Sequence, residues 1–226
     1  MVYPQYYTAY DYRYCQVHSR NLRWASQEPS AIVEDTLRRF GIGKCANLLE
    51  IGCGEGRDAC HLLAQGYGLL ATDVSPEAIS FCRKQMPEAA ACFQVLDCVA
   101  GQLDGAFDFI YAVAVLHMLV PEAHRDSFYS FIRSHLKPGG IALIGTMGDG
   151  TVERESDIST AFTLQPRTHW QTGAVLQIAG TSCRMVGFPT FNREIRQNGL
   201  EILEEGITAV EPDFPQMMYA VVRSRE

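Results

Sequence analysis

The sequence predicts an α/β fold in which helices cover both faces of a largely parallel sheet. From residue 47 onward, short runs rich in β-branched and aromatic residues alternate with segments of helical period, the order that crossover-connected parallel strands require. A glycine-rich stretch, "GCGEG" (52–56), follows the first of these runs and opens the first helical segment. At the other end, two strand-like runs joined by a proline-rich turn close the chain as an antiparallel pair.

The strands are read as "NLLEI" (47–51), "GLLATD" (68–73), "ACFQVLD" (91–97), "FDFIYAV" (107–113) and "GIALIGTM" (140–147). Residues 57–65 carry Ala59, Leu62 and Leu63 on a helix that stops at Gly66, a left-handed terminator. Ser75 and Pro76 form a cap and first-turn pair, and Ala78, Ile79 and Phe81 suit the buried side of a helix that must end near Pro87. Residues 126–136 align Phe128, Phe131, Ile132 and Leu136 before "PGG" turns the chain into the fifth strand. Thr190 is the expected cap of a helix ended by Gly199, and "LEILEEGITAV" and "QMMYAVVRSRE" are the closing strands around "EPDFP". Residues 148–189 fit neither period cleanly and read as an insertion after the fifth strand.

Charge and composition narrow the function classes. Nineteen Lys and Arg against 26 Asp and Glu leave a net charge of −7 with no basic cluster, so no nucleic-acid partner is expected. No apolar run has signal-peptide character or approaches the ~20 residues that span a bilayer, so a cytoplasmic protein without a membrane partner is expected. The eight cysteines contain no C-x-x-C pair, so reduced, packed thiols and no metal site are expected. Oligomeric state has no signature in the sequence.

The glycine stretch sits at the carboxyl edge of the sheet, where open α/β sheets bind ligands. A phosphate-binding P-loop would need Lys and Ser/Thr after its last glycine, but Arg57 and Asp58 stand there. Counted from Gly52, the dinucleotide pattern meets Arg57 where a small residue belongs; counted from Gly54 it finds Gly56 and Ala59, so a nicotinamide cofactor stays open on the glycines alone. Glu50 argues otherwise. Its carboxylate precedes the loop by two residues, would repel a pyrophosphate, and suits a cationic ligand. Asp73 and Asp97 end the second and third strands, where the first can take two ribose hydroxyls and the second either meets an adenine amino group or serves as a turn residue.

The ordered set "LLEIGCGEGRDACHLLAQGYGLLATDVSPEAI", "VLD", "FDFIYAVAVLHML" and "LKPGGIALI" resembles the class I S-adenosylmethionine-dependent methyltransferases over roughly residues 47–147. The resemblance implies a Rossmann-like, doubly wound seven-stranded sheet of order 3-2-1-4-5-7-6 with the seventh strand antiparallel. It implies S-adenosyl-L-methionine as cofactor, a ligand with an ammonium, a sulfonium and no phosphate. Glu50, Gly52, Cys53 and Gly54 would line its methionine portion, Asp73 and Val74 its ribose and adenine edge, Asp97 and Cys98 its adenine, and Ala112, Val113 and Ala114 its amino group. A weaker similarity in plan is to the thiopurine and tellurite methyltransferases. A noncatalytic cofactor-binding module is the alternative from another class.

For the methyl acceptor, a small molecule is expected. The [DNS]-P-P-[YFW] motif of enzymes that methylate base amino groups is replaced by "AVAV", and no Pro-Cys pair offers the nucleophile of cytosine methylation. His117, just past the fourth strand, is the candidate general base, which would give activity rising through a pKa near 6 to 7. Tyr3, Tyr7, Tyr10 and Tyr14 follow helical spacing and either roof the cleft or anchor against the sheet. In the insertion, Arg167, His169, Trp170 and Arg184 are the acceptor-side candidates, with an acidic acceptor implied if either arginine points inward. One domain is expected, with a helical cap over 1–46, a cofactor-binding core over 47–147, a lid over 148–189 and the final helix and hairpin over 190–226.

Overall fold

The central strands are buried almost continuously, and the alternation of their side chains between the two faces builds two apolar layers against which the helices pack. The computed structural model describes residues 5–225. Helices α1 (Ala9–His18) and α2 (Ala31–Arg39) precede β1 (Asn47–Ile51), and α3 (Arg57–Ala64), β2 (Gly68–Asp73), α4 (Pro76–Gln85), β3 (Phe93–Val95), β4 (Phe107–Val113), α5 (Glu122–His135) and β5 (Leu136–Met147) follow. The insertion holds β6 (Arg154–Glu155), β7 (Leu164–Thr168), β8 (Val175–Ala179) and β9 (Arg184–Met185), and α6 (Phe188–Gln197), β10 (Leu200–Val210) and β11 (Phe214–Ser224) close the chain.

The main sheet has the order β10-β11-β5-β4-β1-β2-β3, parallel except for β11, which runs antiparallel to both β5 and β10. This is the expected order. Leu49, Ile110, Ala112, Ala142 and Ile144 face one layer with Phe128, Ile132, Phe191 and Ile195, while Leu48, Phe109, Tyr111, Ile141 and Leu143 face the other with Val33, Leu37, Leu62 and Ile79. Each such fully buried side chain contributes about 1.5–3 kcal/mol against solvent exposure. The two-residue period puts Glu50 on the second face, among apolar neighbours that a carboxylate enters only for a reason.

Several boundaries differ from expectation, each for a local cause. The third strand is three residues long because Pro87–Cys92 winds as a 3₁₀ segment before it and the Asp97 carboxylate accepts from the Val99 amide just after it. Leu136 belongs to β5, not to the preceding helix, and pairs with Phe107; "PGG" lies within that strand, where a Cβ at Gly140 would come 2.9 Å from the Phe107 carbonyl oxygen. Gly187, not Thr190, is the N-cap of α6, and the Thr190 hydroxyl instead donates to Glu153 at 2.6 Å. The insertion is more regular than its sequence suggests, with β6 paired to β9 and β7 to β8, both antiparallel. Tyr3 lies outside the described residues. Among the described residues no helix is long and apolar enough to cross a membrane, and all eight cysteines are free thiols.

Candidate active site

After β1 the chain turns through Gly52, Gly54 and Gly56, all with left-handed φ of 73°, 53° and 81°. At Gly52 sterics reinforce the backbone requirement, since a Cβ there would lie 2.4 Å from Val115 Cγ2. Gly56 is the N-cap of α3, and a Cβ on it would meet the Cys82 and Cys60 sulfurs at 2.9 and 3.0 Å. The loop is therefore wedged between the segment after β4 and helix α4. Asp73 holds it from below. One carboxylate oxygen accepts from the Gly54 amide at 2.8 Å and the other from the Ser75 amide at 2.8 Å. Burial raises the Asp73 pKa to about 6, although both amide bonds pull the other way.

Two cavities meet at this loop. The narrower, about 70 Å³, is lined by Tyr7, Tyr10, Tyr14, Asp73, Val74, Asp97 and Cys98 together with Gly52 and Met118. The wider, about 390 Å³, shares Gly52, Tyr10, Tyr14 and Met118 and extends over Glu50, Cys53, Gly54, Val113, Ala114 and His117 to Met147, Trp170 and Phe214. The tyrosines do both things expected of them. Tyr7 and Tyr14 are buried and anchor α1, yet with Tyr10 they also form the cavity walls. Ala112 does not reach either cavity; it is fully buried in β4, paired with Ile144.

The acids differ in their surroundings. Burial, followed by the nearby Asp58 carboxylate, holds Glu50 well above the usual carboxylate range, and its hydrogen bond within the chain is the 3.0 Å contact from the Tyr111 hydroxyl. A cation placed beside it would reverse that shift. Asp97 is a turn residue as well as a cavity residue, accepting from the amides of Val99 and Ala100 on one oxygen and from the Tyr7 hydroxyl, at 2.8 Å, on the other.

His117 is 2% exposed, and burial, followed by the charge of Arg125, lowers its pKa to about 4. The rise through pH 6 to 7 expected of a histidine base is therefore displaced to about pH 4. The Met147 amide points at His117 Nδ1 from 3.4 Å, which leaves the ring proton on Nε2. Around it, Arg125 holds the post-β4 segment in place, donating to the Leu116 and Leu119 carbonyls at 3.0 and 3.3 Å while its other nitrogens pair with Glu194 at 2.9 and 2.6 Å.

The lid candidates separate. Trp170 lines the wide cavity. Arg167 is exposed and donates to Gln165, and Arg184 donates to the Val120 carbonyl at 2.8 Å and lies near Glu155 and Glu194. His169 is buried but tied to the Arg23 carbonyl at 2.7 Å and the Thr172 hydroxyl at 2.9 Å, so it pins the β7–β8 turn to the N-terminal segment. Neither arginine nor His169 lines the cavities, because each already has its partners in the lid or beneath it. Sequence reasoning passed over Arg13, Trp24, Glu55, Asp58 and Asp213. Glu55 accepts from His18 and from the amides of Trp24 and Ala25, and Asp58 from the amide and hydroxyl of Ser30, fastening the N-terminal region to the glycine loop. The acidic character of "GEGRD" was the available signal; the distant partners had none.

Residues 49–142 match a family model described as "Methyltransferase domain", within a sheet of the order that the motifs imply. The segment that carries the glycine loop and the central strands is thus similar to a methyltransferase domain. Among solved structures, the chain is similar in fold to the CcbJ methyltransferase from Streptomyces caelestis, with a TM-score of 0.72 at 15% identity over 99% of this chain and all of that one. It is also similar to the glycopeptide N-methyltransferase MtfA complexed with sinefungin, with a TM-score of 0.65 at 20% identity over 89% of this chain and 96% of that one. A sequence relative, Hemagglutinin 1 of Eikenella corrodens, is 32% identical over a stretch covering 52% of this chain and 39% of that protein. The chain thus spans well under two thirds of that relative's length.

Proposed function

We propose that the protein binds S-adenosyl-L-methionine across the two connected cavities and methylates an O, N or S nucleophile of a small molecule under the lid. The observation that carries this reading is the distribution of acids about the shared Gly52: Asp73 and Asp97 in the narrow cavity, Glu50 in the wide one. The residues fit the cofactor. One oxygen of Asp73 accepts from the Gly54 amide and the other from the Ser75 amide, with acceptor capacity left for a ribose hydroxyl, and among the described residues the buried Glu50 carboxylate has no cationic hydrogen-bond partner, which suits it to an ammonium. The left-handed turn at Gly52 and Gly54 lets a ligand approach the backbone without a Cβ in the way.

When bound, the cofactor supplies an already activated sulfonium methyl group. The chain's part is then alignment and exclusion of water, worth up to about 7–11 kcal/mol in favourable cases. Trp24, Trp170, Met118, Met147 and Phe214 wall the acceptor side of the wide cavity. In this reading residues 1–46 and 148–189 act as covers, and His117, neutral at physiological pH, shapes the pocket and offers an N–H rather than taking a proton. Amines and thiolates need no base of that kind. Calorimetric titration with S-adenosylhomocysteine and with NAD tests the cofactor, and transfer of a labelled methyl group to a metabolite panel tests catalysis. Binding of NAD without S-adenosylhomocysteine would overturn the reading; saturable S-adenosylhomocysteine binding without any methyl transfer would favour a noncatalytic module.

A further inference from the structure

The wide cavity holds two arginines, and they are not alike. Arg57 is paired with Asp213 at 3.2 Å and lies 3.6 Å from Asp58. Arg13, only 4% exposed, pairs with no carboxylate among the described residues. Its Nε and Nη2 donate to the Ala179 carbonyl at 3.1 and 2.8 Å, and Nη2 also to the Gly180 carbonyl at 2.9 Å and the Thr181 hydroxyl at 2.8 Å. The guanidinium carbon also lies over two rings, 4.5 Å from the Trp24 ring centre and 5.0 Å from that of Tyr10. Every one of these partners is neutral. A buried cation held only by dipoles and ring faces attracts any anion that can reach it, and its environment excludes the water that would otherwise screen it. Burial lowers its pKa, and the charged neighbour it senses, Arg167, lowers it further.

The carboxylates that line the same cavity are engaged elsewhere. Glu50 and Asp58 sit at the glycine-loop end, Glu55 holds His18, and Asp213 holds Arg57. Arg13 belongs to the other end: its contacts are with the end of β8 and the residues after it and with Trp24, and none is with β1 or the glycine loop. We propose that Arg13 receives a carboxylate, or an equivalent monoanion, carried by a planar methyl acceptor that lies among Tyr10, Trp24 and Trp170. A planar acceptor suits the site because the aromatic side chains of Tyr10, Trp24 and Trp170 line the same cavity as Arg13. This assignment rests on the methyltransferase reading and gives it a substrate class. The acidic acceptor is thus selected from α1 and not from Arg167 or Arg184.

The test is calorimetric titration of benzoate and of benzamide into the protein saturated with S-adenosylhomocysteine. The expected result is about tenfold or greater preference for benzoate, the effect of one charge-assisted contact at Nη1, since Nε and Nη2 already donate to Ala179, Gly180 and Thr181. Arg13→Gln should reduce benzoate to the affinity of benzamide while S-adenosylhomocysteine binds as in the wild type, and Arg13→Lys should keep part of the preference. A wild-type protein without preference, or an Arg13→Gln protein that retains it, overturns the proposal. So does an Arg13→Gln protein that loses S-adenosylhomocysteine affinity but not the affinity of methylthioadenosine, which lacks the carboxylate, because Arg13 would then serve the cofactor. Should circular dichroism show Arg13→Gln unfolded, the wild-type ratio and Arg13→Lys decide. Failure of S-adenosylhomocysteine to bind the wild type would instead overturn the methyltransferase reading, with the benzoate preference of the free protein still measurable.

Discussion

On the proposed reading Asp73 makes cofactor binding depend on pH, with a sign and size that follow from its position. With a pKa of about 6, roughly ten in eleven of its carboxyls carry a proton at pH 5 and about one in eleven at pH 7. Holding two ribose hydroxyls needs the carboxylate, so a ligand that binds the ionised form must displace that proton. The sign follows: affinity is full above pH 7 and declines as the pH falls through 6. Between pH 7 and pH 5 the loss through this residue alone is about tenfold, or ~1.4 kcal/mol. At pH 6 binding should release about half a proton through Asp73, measurable as a dependence of the calorimetric heat on the buffer's ionisation enthalpy. Glu50, also held high by burial, adds its own dependence in the same direction, so the residue-specific part is obtained with Asp73→Asn. That variant cannot ionise and turns an amide N–H₂ toward the Gly54 or Ser75 donor, so it should bind more weakly at pH 7 and its affinity should fall about tenfold less steeply toward pH 5. Asp73→Ala, which loses the acceptors altogether, should cost about 1.5–3 kcal/mol in binding at pH 7. An Asp73→Asn protein with the wild-type affinity and the wild-type pH profile would place the ribose elsewhere.

The remaining predictions concern the shell of the site. With its pKa near 4, His117 should contribute no inflection to kcat/KM between pH 5 and 8, and His117→Asn should act mainly on KM; a rise near pH 6 to 7 that vanishes in the variant would restore the base role. Burial opposes the charge on His18, but Glu55 and Glu77, at 2.8 and 2.9 Å, outweigh it and raise its pKa. That stabilisation is complete below the ordinary value of 6.5 and lost as the pH rises through the folded-state pKa. The Tm gap between wild type and His18→Gln should accordingly be wide at pH 6 and narrow by pH 9, and a gap that widens would refute the pairing. Arg125→Met strands Glu194 without its cation and should cost about 3–5 kcal/mol in urea unfolding, whereas Arg125→Met with Glu194→Met should recover most of it. A double variant as unstable as the single would show that the carbonyl contacts to Leu116 and Leu119 matter more than the pair.

Local chemistry was enough to read the central strands, the Ser75 cap, the left-handed stops at Gly66 and Gly199 and the closing hairpin. Each depends on neighbours within a few residues: a short continuous apolar run, a hydroxyl three residues before an amide, a glycine where φ must be positive. The same holds for the placement of Glu50, Asp73 and Asp97 at strand ends, since the end of a parallel strand is where a loop and its ligand must be. What the sequence left undecided is everything settled between distant segments. Arg13, Arg167, Arg184 and His169 are indistinguishable as letters and all find partners, yet of the four only Arg13 lines the wide cavity, because its partners lie beside that cavity and those of the other three do not. His117 could be named from the motif, but its low pKa comes from the layers that close over it and from Arg125, eight residues away in sequence but brought alongside by the turn into α5. The sequence by itself determined the sheet, the glycine loop and the acids that line the cavities beside it. The tertiary structure alone decided which charges are paired and which point into the cavity, because pairing depends on distances across the fold that no local period encodes.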